Sequence, residues 1–114
     1  MLVCRIHRLA VAVQTLQRCL SLAAADQVQT AIELLRAASR PLVIAGCAAA
    51  YASSGDALQQ FIETTRVPLN TEGDARGLVS DDHPYCFGFF DSGLHRAARL
   101  VQQADLVVLL GRKQ

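Results

Sequence analysis

The stretch RPLVIAGCAAAYASSG, residues 40–55, decides the fold of this chain. Four consecutive apolar residues, Leu42–Ala45, lead directly into Gly46 and then into a string of small side chains. A short, continuous apolar run is typical of a strand that is buried on both faces, as in a parallel sheet. The glycine that follows suits a turn that approaches a phosphate, and it equally suits a strand that needs a close neighbour.

The spacing of apolar residues outside this strand alternates between helical and extended. The predicted elements are, in chain order, a helix over 26–39, the strand 42–45, a helix from about 55 through 65, a strand over 67–71, a polar connection over 72–92, a helix through 94–101 and a strand over 105–111. Helices that alternate with strands predict an α/β, Rossmann-like parallel sheet with flanking helices. Three strands make a thin sheet, so we expect an incomplete domain whose last strand has one unpaired edge and favours self-association.

Length and composition exclude several classes of protein. A chain of 114 residues is at most one small domain. The net charge is +1, and the ten arginines and one lysine form no basic stripe, so we expect no nucleic-acid partner. The four cysteines contain no CxxC pair and no metal-ligand spacing. Reduced thiols and a cytoplasmic location are therefore expected.

Residues 1–25 differ from the rest because they contain no acidic side chain. Their apolar residues follow helical spacing and predict an amphipathic helix, with the stripe Leu2, Ile6, Leu9, Val13, Leu16 and Leu20. The apolar run is too short for a secretory signal or a membrane span. A transit peptide, a helix that packs on this or another domain, and a misassigned start all remain open. We accordingly divide the chain into a segment of unknown role, 1–25, and a partial domain, 26–114.

The turn after the first strand meets only part of a dinucleotide-binding motif. Gly46 supplies the first glycine, but Ala48 and Tyr51 stand where the second and third glycines belong. The acidic residues Glu72 and Asp74 lie slightly too far from Gly46 for a ribose-binding carboxylate. This pattern favours close packing over phosphate binding.

A family resemblance rests on residues 67–84, VPLNTEGDARGLVSDDHP. This segment resembles the central domain of thiamine-diphosphate-dependent enzymes of the acetolactate synthase type. The matching positions are Pro68, Thr71, Gly77, Asp82, His83, Pro84 and Gly88. The segments RPLVIAG and ADLVVLLG are similar to the first and third strands of that domain, so the likeness covers about residues 26–112.

The resemblance implies a Rossmann-like spacer between two catalytic domains. Such domains bind FAD in acetolactate synthases, ADP in some relatives and no nucleotide in others. The residues that would line a nucleotide cleft are Gly46, Cys47, Ala48, Thr71, Gly77, Gly111 and Arg112. The chain departs from the family pattern at Cys47–Ala49, at Ala75–Gly77, at Asp91 and in the position of Arg112. These departures disfavour FAD.

The chemistry of the parent enzyme is expected to lie elsewhere. In the family, thiamine diphosphate and Mg²⁺ are held by a GDG…N motif in another domain; this chain has one asparagine, Asn70, and no GDG. The string Asp81-Asp82-His83 fits a turn better than an acid–base pair. We therefore assign no catalytic and no metal-binding residue. The expected partners are the missing catalytic domains within a homo-oligomer, and the alternative is a free-standing Rossmann-like nucleotide-binding module.

Overall fold

A computed structural model describes residues 2–5, 24–52, 54–89 and 95–111. The strands in these ranges are β1 (Leu2–Arg5), β2 (Pro41–Ala45), β3 (Leu69–Thr71), β4 (Cys86–Phe89) and β5 (Leu106–Leu110). The helices are α1 (Ala25–Ala37), α2 (Cys47–Tyr51), α3 (Gly55–Thr65) and α4 (His95–Gln103), and a 3₁₀ turn covers Gly73–Ala75. Within the described ranges, no helix has both the length and the apolar composition that crossing a bilayer requires.

The described strands form one sheet in the order β1-β5-β2-β3-β4. The strands β2, β3, β4 and β5 are parallel, and β1 runs antiparallel along the free side of β5. The chain moves outward from β2 through β3 to β4 and then returns to place β5 on the other side of β2. The strand order therefore reverses between β2 and β5, which is the topological switch point of a doubly wound sheet.

The two faces of β2 account for its unbroken apolar sequence. Val43 and Ala45 face the side covered by α3, where Leu58 and Ile62 are buried. Alternate residues of the same strand face α4 and join a second buried cluster, which comprises Leu42, Ile44, Ala104 and Val107 with Leu100, Val101 and Leu109 packed against it. A strand that is buried on both faces needs no polar alternation, as the sequence predicted.

The helices begin and end close to the expected positions. α1 carries the carboxylate of Asp26 in its first turn and the guanidinium of Arg36 in its last turn, so both charges complement the helix dipole. α3 ends at Arg66, which adopts a left-handed conformation with φ of 57° and donates its N–H to the carbonyl of Ile62. Such a residue stops a helix and turns the chain toward the next strand.

The parallel α/β sheet is confirmed, and four details differ from the prediction. The amphipathic helix predicted for 1–25 is not confirmed, because residues 2–5 form β1 and residues 6–23 lie outside the described residues. The connection over 72–92 contains β4, and the loop of small residues after Gly46 contains α2. The expectation of an unpaired edge on the last strand is wrong, because β5 pairs with both β1 and β2.

Candidate functional site

The switch point lies where the carboxyl ends of β2 and β5 meet, and ligands of open α/β sheets bind at this kind of crevice. Two backbone hydrogen bonds join the loops that leave these strands. Gly46 donates its N–H to the carbonyl of Leu110 at 2.7 Å, and Ala48 donates its N–H to the carbonyl of Gly111 at 2.9 Å. The first turn of α2 is therefore fixed directly to the chain that follows β5.

Close approach at this point depends on Gly111. Its φ is +62°, a conformation that side chains with a Cβ rarely adopt. A Cβ on Gly111 would collide with the backbone nitrogen of Ala49 and would lie 2.9 Å from the carbonyl carbon of Ala48. The backbone and small side chains of α2 therefore lie in direct contact with Gly111 at the switch point.

The other side of α2 packs against the 3₁₀ turn that follows β3. A Cβ on Gly73 would lie 2.7 Å from the thiol sulfur of Cys47. The half-buried thiol therefore packs directly against this glycine. The hydroxyl of Tyr51 donates a hydrogen bond of 3.2 Å to the carboxylate of Asp74. This hydrogen bond, together with the negative charge of the carboxylate, raises the pKa of Tyr51. The turn after β3 and the loop after β5 hold α2 between them.

Two buried polar side chains stand out at the end of β3. Asn70 and Thr71 are both fully buried, and neither side chain has a hydrogen-bond partner in the described part of the chain. Thr71 pairs in register with Ala45 of β2, one strand away from the switch point. Leaving a buried polar group without a partner costs about 1–3 kcal/mol. Sequence reasoning named Thr71 through the family resemblance but did not predict that Asn70 and Thr71 are buried, because a polar residue in a strand does not show whether it is buried.

The structure brings together most of the residues predicted to line a nucleotide cleft. Gly46, Cys47, Ala48 and Gly111 meet at the switch point, and Thr71 lies at the end of the neighbouring strand. Gly77 is exposed on the far side of the 3₁₀ turn, with φ of +88° and open space around its Cβ position. Arg112 lies outside the described residues.

The Asp81-Asp82-His83 string forms a turn rather than an acid–base site. The ring of His83 accepts a hydrogen bond on Nδ1 from the backbone N–H of Tyr85 at 3.2 Å, and its Nε2 lies 3.4 Å from a carboxylate oxygen of Glu63 on α3. Asp81 lies 3.7 Å from the guanidinium of Arg76. The contact with Glu63 attaches the turn before β4 to α3.

The described residues do not fit the cofactors of a thiamine-diphosphate enzyme. In those ranges, no group of three or more histidine, cysteine, aspartate or glutamate side chains is placed to hold a metal ion. The N–H of Ala48, which begins the helix at the switch point, is already bonded to Gly111. A magnesium ion in a protein takes several oxygen ligands, and a diphosphate needs donors such as free backbone N–H groups.

A parallel sheet with a switch point between its first and last parallel strands, β2 and β5, and with small residues at that point defines a Rossmann-like α/β domain. The family model that describes the central domain of thiamine pyrophosphate enzymes matches residues 28–114. The chain therefore belongs to this family, as the resemblance over 26–112 predicted.

Curated relatives agree with this assignment. The chain is 33% identical over 105 residues to 2-hydroxyacyl-CoA lyase 1 from Homo sapiens, which covers 89% of this chain and 17% of that protein. It is 40% identical over 88 residues to 2-hydroxyacyl-CoA lyase 1 from Dictyostelium discoideum, over 75% of this chain and 14% of that protein. It is 35% identical over 86 residues to oxalyl-CoA decarboxylase from Escherichia coli K12, over 75% of this chain and 14% of that protein. The chain thus spans less than a fifth of the length of these relatives.

Proposed function

We propose that this chain is the non-catalytic central-domain part of a thiamine-diphosphate-dependent enzyme that makes or breaks a carbon–carbon bond next to a carbonyl. The observation that carries the proposal is the family match over residues 28–114. Relatives named as a 2-hydroxyacyl-CoA lyase and an oxalyl-CoA decarboxylase support this type of chemistry for the parent. The role of this chain would be to bridge the catalytic domains.

The composition of the switch point supports a structural role. Its contacts are made by backbone atoms and by small residues, notably Gly46, Ala48 and Gly111. General acid–base catalysis needs a titratable side chain within hydrogen-bond reach of a substrate. Two titratable groups at this edge, the hydroxyl of Tyr51 and the carboxylate of Asp74, are hydrogen-bonded to each other.

Thiamine diphosphate and Mg²⁺ would be held by parts of the parent outside these residues. When bound, thiamine diphosphate supplies the carbanion and the electron sink for the reaction. The residues of this chain would contribute the packed surface that keeps the flanking domains at a fixed separation.

A central experiment is a domain replacement in a relative. In Escherichia coli oxalyl-CoA decarboxylase, the 86 matched residues would be exchanged for those of this chain. We expect a soluble chimaera that retains measurable oxalyl-CoA decarboxylase activity, whereas the 114-residue chain alone shows neither this activity nor binding of thiamine diphosphate with Mg²⁺. A soluble but inactive chimaera, or cofactor binding by the chain alone, would contradict the proposal. The same chimaera with Gly111→Val is the control, and we expect it to fail at the folding step.

For nucleotides, we propose that the switch point of this chain does not hold FAD or ADP tightly. The bond from Ala48 to Gly111 supports this, because it uses a donor that a phosphate would need. Titration of the chain with FAD and with ADP tests the proposal. A dissociation constant tighter than about 10 µM, or roughly −7 kcal/mol, would instead favour the alternative of a free-standing nucleotide-binding module. In that case the residues predicted to line the nucleotide cleft would be the first targets for mutagenesis.

The remaining expectations concern assembly and compartment. We propose that the parent is a homo-oligomer in which this chain contacts the catalytic domains. We also propose a cytoplasmic location, supported by the free thiols of Cys47 and Cys86. Sedimentation of the parent and fractionation of cells that express it would test these two proposals.

A further inference from the structure

A groove lies at the edge of the sheet opposite the switch point. It has a volume of about 820 Å³ and opens between the carboxyl ends of α1, α3 and α4 and the start of β2. Its apolar lining comes from Ile32, Leu35, Leu42, Phe61, Val67, Pro68, Leu100 and Ala104. We refer to this cavity as the amino-edge groove. Four of these side chains, Ile32, Leu35, Phe61 and Leu100, are only half-buried, so the groove presents apolar surface to its surroundings.

The charged residues that line the amino-edge groove all have one sign. Arg36, Arg40 and Arg66 line it, and its lining contains no acidic residue. Arg36 and Arg66 form no ion pair within the described residues. Both lie at the carboxyl ends of helices, whose exposed carbonyls keep the guanidinium groups at this edge.

The nearest carboxylate is already engaged. Asp105 accepts hydrogen bonds from the backbone N–H groups of Ser39 at 2.8 Å and Arg40 at 2.9 Å. These two bonds lower the pKa of Asp105, and the charge of Arg40 adds to the effect. Asp105 therefore offsets Arg40 and leaves Arg36 and Arg66 as the cations available to a partner.

We propose that the amino-edge groove is a docking surface for an acidic amphipathic segment of the parent polypeptide outside these 114 residues. This inference rests on the proposed function. The chain spans only 14–17% of the length of its relatives, so under that function most of the parent polypeptide lies outside these 114 residues and would supply the segment. An apolar face would fill the floor of the groove, and carboxylates at its border would pair with Arg36 and Arg66. The chain's own residues 1–25 do not meet this description, because they contain no acidic side chain.

Two synthetic peptides test the chemistry of the occupant on the full 114-residue chain. Both are amphipathic helices of about 14 residues, or four turns, with the same leucine face. The polar face of one carries glutamates and that of the other carries lysines. We expect the glutamate peptide to bind one-to-one and about tenfold more tightly than the lysine peptide, by calorimetry. Amide shifts should concentrate at Leu35, Phe61 and Leu100.

Charge reversal provides the decisive comparison. In the double variant Arg36→Glu with Arg66→Glu, the preference should reverse in favour of the lysine peptide. The double variant Arg36→Gln with Arg66→Gln, which suits the helix ends better, should lose the preference without reversing it. Arg76→Glu is the matched control, since Arg76 pairs with Asp81 away from the groove, and it should leave both affinities unchanged.

Several results would overturn the proposal. These are equal affinity for both peptides, binding that does not saturate, or an unchanged preference in both double variants that circular dichroism shows to be folded. Dimerisation that the same variants abolish would assign the groove to a second copy of the chain. None of these results bears on the domain replacement, so the central-domain role stands or falls separately.

Discussion

The two edges of the parallel sheet are built from different kinds of residue. At the carboxyl edge, glycines and alanines bring the backbone of Gly111 against Ala48 and that of Gly73 against Cys47. At the amino edge, large apolar side chains and arginines surround a groove of about 820 Å³. Ligands of α/β sheets usually bind at the carboxyl edge. Among the described residues that edge shows close contacts of α2 with Gly111 and Gly73, and the groove lies at the opposite edge. The comparison shows that a fold indicates where a site is expected, while side-chain size decides where space remains.

The close packing of the carboxyl edge should be the feature most sensitive to mutation. We expect Gly111→Ala to lower the free energy of unfolding by about 2–5 kcal/mol, because strain in the left-handed conformation adds to the collision with α2. Urea denaturation of the purified chain measures the change.

Gly77→Ala is the control for Gly111→Ala. Gly77 also has a positive φ, but its Cβ position is open. This variant should lose only the conformational part, about 1 kcal/mol. Equal losses in the two variants would show that α2 does not pack on Gly111 as described.

Removing the buried hydroxyl of Thr71, at the same edge of the sheet, should change the stability in the opposite direction. Thr71→Val keeps the shape of the side chain and removes a polar group that has no partner among the described residues, so we expect stability to rise by about 1 kcal/mol. Thr64→Val, whose hydroxyl bonds the carbonyl of Gln60 on the exposed face of α3, should not stabilise the chain. A loss of stability in Thr71→Val would indicate that the hydroxyl has a partner in solution.

At the amino edge, replacing His83 should have a smaller effect on the free energy of unfolding. We expect His83→Ala to cost about 0.5–1.5 kcal/mol, because the N–H of Tyr85 loses its acceptor. His83→Asn places an oxygen close to the position of Nδ1 and should recover most of the loss in chemical denaturation. If Asn and Ala behave alike, the hydrogen bond to Tyr85 does not stabilise the turn.

The smallest expected effect is a pH dependence from Asp105. Its pKa is lowered in the folded chain by the N–H groups of Ser39 and Arg40. The bonded carboxylate therefore stabilises the fold above the ordinary pKa of aspartate, and this contribution disappears as pH falls through the lowered value. Asp105→Asn should reduce stability at pH 6 and reduce it less at pH 3, in urea titrations at both values. If Asp105→Asn lowers the stability equally at both pH values, the lowered pKa of Asp105 does not contribute to the stability of the fold.

The sequence predicted those parts of the fold that depend on local pattern. The strand Leu42–Ala45 and the last strand have unbroken apolar runs, and the flanking helices have clear periodicity, so each element could be placed within a few residues. The strand β4 was missed because it is short and contains Gly88, and its position depends on pairing with β3. Pairing between distant segments has no signature in a single sequence.

The candidate site was predicted less completely. Gly46 was identified from its place after an apolar strand, and the family resemblance added the rest, including Gly111. That α2 fills the crevice depends on how Ala48, Ala49 and Gly111 meet in three dimensions. The amino-edge groove was not predicted, because its lining comes from several separate segments of the chain.

The antiparallel strand β1 has a consequence for how the sheet can grow. Its four residues, Leu2–Arg5, pair with Leu106–Leu109 of β5 on the side away from β2. In a doubly wound sheet, the position beside β5 is occupied by the next parallel strand of the second half of the sheet. A strand that took this position beside β5 would have to displace β1, because both would use the same row of backbone donors and acceptors on β5.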